Sequence, residues 1–170
     1  LSGFPGSSTL REFLKSLTAQ EIEGLGRLHD SLRNTIYKAT GTSSSMILDL
    51  DSTVLPLFGY RIEEAKIGYN PKKPGRPSYH PLLCFEGRTR TLWHGVLRPG
   101  DTHATTGVEV FFKECLKKIP PYLYRIRLRA DAGFFDHALI EMLDEAKLGY
   151  VIVGKMTRPI QERVQAIRYQ

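Results

Sequence analysis

The sequence predicts an α/β fold in which helices flank a mixed β-sheet and an N-terminal helical segment precedes it. Three observations carry the prediction. Apolar residues recur at helical spacing before residue 45, apolar strand-like runs follow, and the last third alternates strand with helix. The order after residue 45 is β-β-β-α-β-α-β. A set of hairpin strands followed by such alternation indicates a mixed sheet with helices on its faces.

The first 45 residues form the predicted helical segment, and residues 46–170 form the predicted sheet domain. Thr9-x-x-Glu12 and Thr18-x-x-Glu21 both have the spacing of a capping box. After the second, the apolar positions 22, 25, 28, 32 and 36 predict one long amphipathic helix. The run GTSSS at 41–45 ends this pattern.

The sheet domain begins with a predicted strand from Met46 to Asp51. The block YNPKKPGRPSYHP, residues 69–81, holds four prolines and is predicted to have no regular structure. YHPLLCFE and RTLWHGVLR flank EGRT and predict a β-hairpin, in which Trp93 is expected in the core.

The remaining elements alternate. Thr106-x-x-Glu109 predicts the start of a helix that ends at Pro120-Pro121, and YRIRLRAD predicts the fourth strand. Asp136 is expected to cap a helix that ends at Gly149, YVIVGK predicts a fifth strand, and a polar helix is predicted at about 158–168.

Composition limits the function classes. The chain has 170 residues and 41% apolar residues, enough for one domain with a core, and no apolar run is long enough for a membrane span. Both cysteines lie in apolar runs and are expected to be reduced, as in an intracellular protein. The first residues lack the order of a signal peptide, and because the first residue is not Met we expect a piece of a longer chain.

Positive charge is concentrated in two stretches. Residues 66–90 hold six Lys or Arg against one acid, and residues 117–129 hold five with no acid. With a net charge of +6, this distribution favours contact with phosphates, although two solvated loops explain it equally well. Arg125, Arg127 and Arg129 share one strand face, which must be open, paired with acids, or in contact with DNA or another part of the protein.

Carboxylates stand where a buried strand would carry apolar residues. Asp49 and Asp51 point to one side of the first strand, and Asp131 ends the fourth. If the two strands are neighbours, Asp51 and Asp131 meet at the C-terminal edge of the sheet, where a divalent cation would relieve their repulsion. The alternative is that each Asp caps a turn or the following helix.

Four blocks in this order, LDLDSTV, GYNPKKPGRPSYHPLLCFEGRT, RPGDTHA and RADAGFF, resemble insertion-sequence transposases of the DDE class, and specifically their group 1 DDE domain. The resemblance covers nearly the whole chain. It implies a catalytic core with an RNase H-like fold, whose strand and helix order is also β-β-β-α-β-α-β.

The resemblance implies that Asp51 and Asp131 are catalytic metal ligands for Mg²⁺ or Mn²⁺, with Asp49 as the fallback for Asp51. The third acid of the family is a Glu on a helix well after the fifth strand. It has no clear counterpart here, because Glu162 has the surroundings of a solvated helix residue. We therefore expect a C-terminally truncated core, inactive alone, that lacks the full two-metal site.

For the full-length protein the resemblance implies metal-dependent cutting of DNA at transposon ends and joining of the freed 3′-hydroxyl to target DNA. A homodimer acting on DNA in the cytoplasm, and no membrane partner, is expected. The alternatives are an RNase H-like nuclease without strand transfer and a non-catalytic nucleic-acid-binding domain. The candidate DNA contacts are Lys72, Lys73, Arg76, Arg98 and His103, with solvation, or for His103 a local hydrogen bond, as the alternative.

Overall fold

The computed structural model describes residues 3–39, 44–59, 62–71, 73–154 and 156–167. The chain forms two compact units, Leu1–Thr42 and Ser43–Gln170. The first contains helices α1 (Ser7–Ser16) and α2 (Ala19–Ala39). The second contains strands β1 (Ser45–Ser52), β2 (Leu55–Pro56), β3 (Lys66–Ile67), β4 (Pro77–Tyr79), β5 (Leu82–Glu86), β6 (Leu92–Val96), β7 (Arg125–Ala130) and β8 (Gly149–Ile152), and helices α3 (Val108–Lys117), α4 (His137–Glu145) and α5 (Arg158–Ala166).

The capping box before α2 is confirmed. The backbone amide of Glu21 donates to Thr18 Oγ1 at 3.3 Å, and the amide of Thr18 donates to Glu21 Oε2 at 2.8 Å. The hydrogen bonds that the Thr18 amide and, second, the Thr18 hydroxyl donate to the Glu21 carboxylate lower its pKa. The capping box predicted at Thr9 is wrong, because α1 begins earlier, at Ser7, and its first residue follows Gly6 without a side-chain cap.

The predicted order β-β-β-α-β-α-β is confirmed for the larger sheet, and with it the α/β fold class. Its five strands lie in the order β6-β5-β1-β7-β8. Strand β1 is antiparallel to β5 and parallel to β7, which is in turn parallel to β8. The sheet is therefore mixed, and β1 lies at its centre beside β7, the strand that ends one residue before Asp131.

The core of this unit lies on one face of the larger sheet. Leu48 and Leu128 are fully buried on the central strands, and α3 and α4 contact each other and the edge strands β6 and β8. Trp93 is also fully buried, and its indole N–H donates to the carbonyl oxygen of Cys115 at 3.0 Å, so the prediction that it belongs to the core is confirmed. Both cysteines are buried and reduced, as expected.

The helix starts of this unit are only partly as predicted. Asp136 caps α4, since its Oδ1 accepts hydrogen bonds from the amides of Ala138 and Leu139. The cap predicted at Thr106 is wrong. Helix α3 begins at Val108 after Gly107, whose φ of 70° is left-handed and which supplies no side chain. Glycine adopts this conformation at little cost, and here it sets the chain direction into the helix.

The proline-rich block is partly regular, which corrects the sequence prediction. Its residues Pro77–Tyr79 form β4, the middle strand of a small sheet with the order β2-β4-β3. Pro77 is tolerated because it is the first residue of its strand, where a missing N–H costs little. Its carbonyl oxygen still accepts a hydrogen bond from the amide of Leu57 at 2.9 Å.

Among the described residues, no helix combines the length and hydropathy that a membrane span requires.

Candidate active site

Two aspartates leave the central strands at equivalent positions. In the parallel pairing of β1 with β7, Leu50 lies opposite Ala130, and the residues that follow them in the chain are Asp51 and Asp131. Neighbouring strands lie about 4.8 Å apart, so both residues reach the same edge of the sheet. The expectation that the first and fourth strands are parallel neighbours is confirmed.

The two carboxylates differ in what already holds them. Asp131 is exposed, and its Oδ1 accepts a hydrogen bond from the amide of Gly133 at 2.9 Å, which caps the short 3₁₀ helix Ala132–Phe134. The turn-capping alternative is thus realised for one oxygen of Asp131. Asp51 is exposed, and its carboxylate has no hydrogen bond or ion pair within the described parts of the chain, although its backbone pairs with Leu83 of β5.

Asp49 lies two residues earlier on the same face and is held by an arginine. Arg129 Nε and Nη2 donate to its two carboxylate oxygens, each at 2.6 Å. The Asp49 carboxylate raises the pKa of the Arg129 guanidinium, through the hydrogen bond first and its charge second. A Cβ at Gly87 would stand 2.9 Å from Arg129 Nη2, so glycine is the residue that lets the β5–β6 hairpin close over this pair.

The other two arginines of this strand face have different surroundings. Arg125 and Arg127 are exposed, and the guanidinium carbon of Arg125 lies 5.6 Å from the ring centre of Tyr124. Pairing with acids, one of the three possibilities for this face, therefore holds for Arg129.

Among the described residues, no third acid joins the two aspartates. The described residues contain no group of three or more His, Cys, Asp or Glu side chains that could hold a metal ion. Glu162 lies on α5 and accepts a hydrogen bond from Arg158 Nε at 3.0 Å in an exposed pair one turn apart.

Asp51 and Asp131 have the donor chemistry of a Mg²⁺ or Mn²⁺ site. They offer hard carboxylate oxygens at one edge, and neither is neutralised by a cationic side chain of the described chain. Two carboxylates supply only part of the octahedral shell that Mg²⁺ prefers, so further ligands must come from water and substrate.

The connector RPGDTHA, residues 98–104, is organised by Arg98. This side chain is 8% exposed and donates to four backbone carbonyl oxygens: His80 at 3.0 Å, His103 at 3.3 Å, Ala104 at 3.3 Å and Thr106 at 2.8 Å. Burial lowers the pKa of its guanidinium. Arg98 thus lies inside the protein and fixes the path of the loop beside the two aspartates.

His103 makes a local hydrogen bond, which is the alternative to a DNA contact. Its Nδ1 lies 2.9 Å from Thr105 Oγ1 and accepts from the Thr105 amide at 3.3 Å. The residue is exposed, so this contact fixes the orientation of the ring without removing it from solvent.

The basic residues of the proline-rich block surround an aromatic ring. Lys73 Nζ lies 4.6 Å and Arg76 Cζ 4.9 Å from the ring centre of Phe58, which is 71% exposed. Lys72 lies outside the described residues. Sequence reasoning missed Phe58, since one aromatic residue in a loop has no periodic pattern; its position before a lysine- and arginine-rich block was the available signal.

A model of the transposase DDE domain family, group 1, matches residues 3–170 of the chain. No curated protein matches the chain. Among solved structures, the chain is similar to piggyBac transposase in a synaptic complex with hairpin DNA, at 22% identity and a TM-score of 0.49 over 73% of this chain and 26% of that one.

Two further structures are similar. The catalytic domain of Mos1 mariner transposase matches at 12% identity and a TM-score of 0.45, over 91% of this chain and 76% of that one. The catalytic core of BIV integrase matches at 11% identity and a TM-score of 0.41, over 72% of this chain and 63% of that one. The chain covers 26% of the length of the piggyBac transposase chain.

Proposed function

The chain belongs to the group 1 family of transposase DDE domains, and from this premise we propose that it is part of the catalytic core of a DNA transposase. The proposed reactions are hydrolysis of a phosphodiester bond at a transposon end and transfer of the freed 3′-hydroxyl to target DNA. Both are the in-line attack of an oxygen on phosphorus, so one site serves both.

The pairing of Leu50 with Ala130 carries this proposal, because it puts Asp51 and Asp131 side by side at the sheet edge. We assign both as ligands of Mg²⁺ or Mn²⁺, which when bound would polarise the phosphate and activate the attacking oxygen. Asp51 offers both oxygens and Asp131 offers Oδ2, since its Oδ1 is held by the Gly133 amide. Asp49 is less suited, because Arg129 occupies both of its oxygens.

DNA is the proposed partner. Lys73 and Arg76 are exposed and flank the exposed Phe58, an arrangement suited to phosphate contacts beside an aromatic surface. Lys72 and His103 are further candidate contacts. Arg98 contributes through the loop it organises, since its donors face backbone carbonyls.

The remaining proposals concern the whole protein. A transposon has two ends, and a homodimer that gives each end one catalytic core is the simplest assembly for joining both. We propose this assembly, acting on DNA in the cytoplasm, with the third acid supplied from outside the residues described.

Paramagnetic broadening by Mn²⁺ tests the assignment directly. The amide signals of residues 51 and 131–133 should broaden at the lowest Mn²⁺ concentrations, because relaxation enhancement falls steeply with distance from the ion. Asp51→Asn and Asp131→Asn should each abolish this selective broadening, since each removes one of the two charged ligands assigned within the described residues.

Glu162→Gln is the matched control, because it neutralises an exposed carboxylate on α5. It should leave the broadening at residues 51 and 131 unchanged. Equal broadening in the wild type and in Asp131→Asn would refute the metal assignment. In that case DNA binding without a Mn²⁺ response would favour the non-catalytic nucleic-acid-binding alternative.

A further inference from the structure

A cavity of about 510 Å³ adjoins the edge where Asp51 and Asp131 lie. Ser52, the residue after Asp51, lines one side, and Gly133, whose amide binds Asp131, lines another. The opposite walls come from the proline-rich block and the connector: Tyr69, Pro71, His80 and residues 100–104. Its volume is within the range of about 300–1,000 Å³ typical of small-ligand sites.

The lining is mainly apolar and uncharged. Val54, Tyr69, Pro71 and Ala104 supply apolar surface, and no lysine or arginine lines the cavity among the described residues. The charged group in the lining is Asp101, whose Oδ2 lies 3.8 Å from Lys66 Nζ. Such a lining disfavours a phosphate, because no cation would compensate its charge. It suits a flat, neutral ligand with a polar edge.

Two histidines in the lining offer opposite hydrogen-bonding groups. His80 Nδ1 lies 2.7 Å from the carbonyl oxygen of Thr102, which can only accept, so the neutral ring carries its proton on Nδ1 and Nε2 is an acceptor. His103 Nδ1 accepts from the Thr105 amide, so its neutral ring carries the proton on Nε2, a donor. A nucleobase edge presents a donor beside an acceptor and is complementary to such a pair.

Tyr69 adds a stacking surface. Its side chain is 77% exposed although it lines the cavity, so one face of the ring remains available. Stacking of a base on an aromatic side chain contributes substantially to binding and tolerates any base.

We propose that this cavity receives one unpaired nucleobase of the DNA strand whose phosphate lies at Asp51 and Asp131. Tyr69 stacks on the base, while His80 and His103 bind its edge. The proposal rests on the proposed function, because it places the base next to the phosphate that reacts. Holding a base out of the helix would fix the position of that phosphate at the aspartates.

Binding to matched DNA ends tests the proposal. One duplex carries a short 3′ overhang with normal bases, and a second carries the same overhang with abasic sites, so both have equal phosphate charge. A 2-aminopurine in the overhang reports base stacking. The wild type should bind the normal overhang at least about fivefold more tightly than the abasic one, with quenching of 2-aminopurine on Tyr69.

Two variants separate the cavity from the rest of the surface. Tyr69→Ala removes the stacking ring, and Ala104→Leu fills part of the cavity. Each should lower the preference for the normal overhang over the abasic one to about onefold and leave affinity for the abasic end unchanged. Tyr124→Ala removes another exposed tyrosine and should keep the preference intact. A melting-temperature measurement establishes whether each variant folds. If Ala104→Leu does not fold, Tyr69→Ala still tests the proposal.

Each other outcome identifies a different error. Equal affinity for both overhangs in the wild type would overturn the cavity proposal while leaving the proposed DNA function in place. Deoxyadenosine monophosphate bound as tightly as the normal overhang would make a free nucleotide, and not a DNA base, the occupant. Absence of binding to any of these DNAs would overturn the proposed function together with the cavity proposal.

Discussion

Arg129 and Asp49 occupy paired positions of the parallel strands β7 and β1, and their side chains form a two-point ion pair with both N···O distances at 2.6 Å. This pair explains why β1 carries two acidic residues on one face. Asp49 is the partner of an arginine on the neighbouring strand. Asp51, two residues on, follows Leu50, whose pairing partner Ala130 precedes Asp131, and no ion pair of Asp51 is found among the described residues.

Replacement of Asp51 and replacement of Asp49 should therefore have different effects on Mn²⁺ binding. Asp51→Asn should abolish selective Mn²⁺ broadening at residues 131–133, whereas Asp49→Asn should preserve it. Asp49→Asn should lower the free energy of unfolding by no more than about 1 kcal/mol, because an exposed ion pair contributes little. Mn²⁺-induced broadening of the amide signals measures the first effect, and urea denaturation measures the change in the free energy of unfolding. Loss of the Mn²⁺ response in Asp49→Asn with retention in Asp51→Asn would reverse the assignment.

Trp93 in the hydrophobic core is fully buried, and its indole N–H donates a hydrogen bond to the carbonyl oxygen of Cys115. Trp93→Phe removes this hydrogen bond and leaves unfilled volume between β6 and α3. The free energy of unfolding should fall by about 2 kcal/mol, as measured by urea denaturation. Tyr122→Phe changes a 40% exposed ring and should alter it by less than about 0.5 kcal/mol. Similar losses in both variants would contradict this account of the core.

The five-stranded sheet could be predicted because its signals are local. Each of these signals involves residues only a few positions apart: the apolar strand runs, the EGRT turn, the Asp136 cap and the capping box of Thr18 and Glu21. The Thr9 and Thr106 boxes have the same spacing, yet neither caps its helix, because α1 begins before Thr9 and α3 begins at Val108, after Gly107. Spacing defines a possible cap, whereas the residue at which the helix begins decides whether that cap forms.

The small sheet and the surroundings of Arg98 could not be predicted, because both depend on distant partners. Strand β4 exists through pairing with β2 and β3, each two residues long. Arg98 was predicted as a DNA contact from its charge, and nothing in the neighbouring sequence shows that four carbonyl groups surround it. The position of Asp51 beside Asp131 likewise follows from strand pairing that local patterns only permit.

Arg98 should behave as a positioning residue. Arg98→Lys keeps the charge, but one ammonium group cannot reach His80 O and Thr106 O together in the geometry of a guanidinium. The free energy of unfolding should fall by about 2–3 kcal/mol, and the amide of Thr102 should exchange with solvent faster. Hydrogen exchange measured by NMR tests this. Unchanged exchange together with weaker DNA binding would instead support a direct DNA contact.

The capping box of α2 should make the start of this helix sensitive to acid. Hydrogen bonds from Thr18 lower the pKa of Glu21 below its ordinary value of 4.5 in the folded chain. The stabilisation is therefore fully present above pH 4.5 and is lost as the pH falls through the folded pKa. The amide shift of Thr18 should follow this titration, and Glu21→Gln should remove it. A Thr18 amide that titrates equally in Glu21→Gln would exclude this cause.

Lys73 and Arg76 should contribute to DNA affinity mainly through charge. If each contacts one phosphate, Lys73→Ala and Arg76→Ala should each reduce the slope of log affinity against log salt concentration by about 1, whatever the DNA sequence. Affinity measured by fluorescence anisotropy over a range of salt concentrations gives the slope. Lys15→Ala removes a lysine from α1 that pairs with Glu12 at 3.2 Å, and it should leave the slope unchanged. A loss of affinity in Lys73→Ala at constant slope would mean that this lysine acts by orienting Phe58, over which it lies, and not by binding a phosphate.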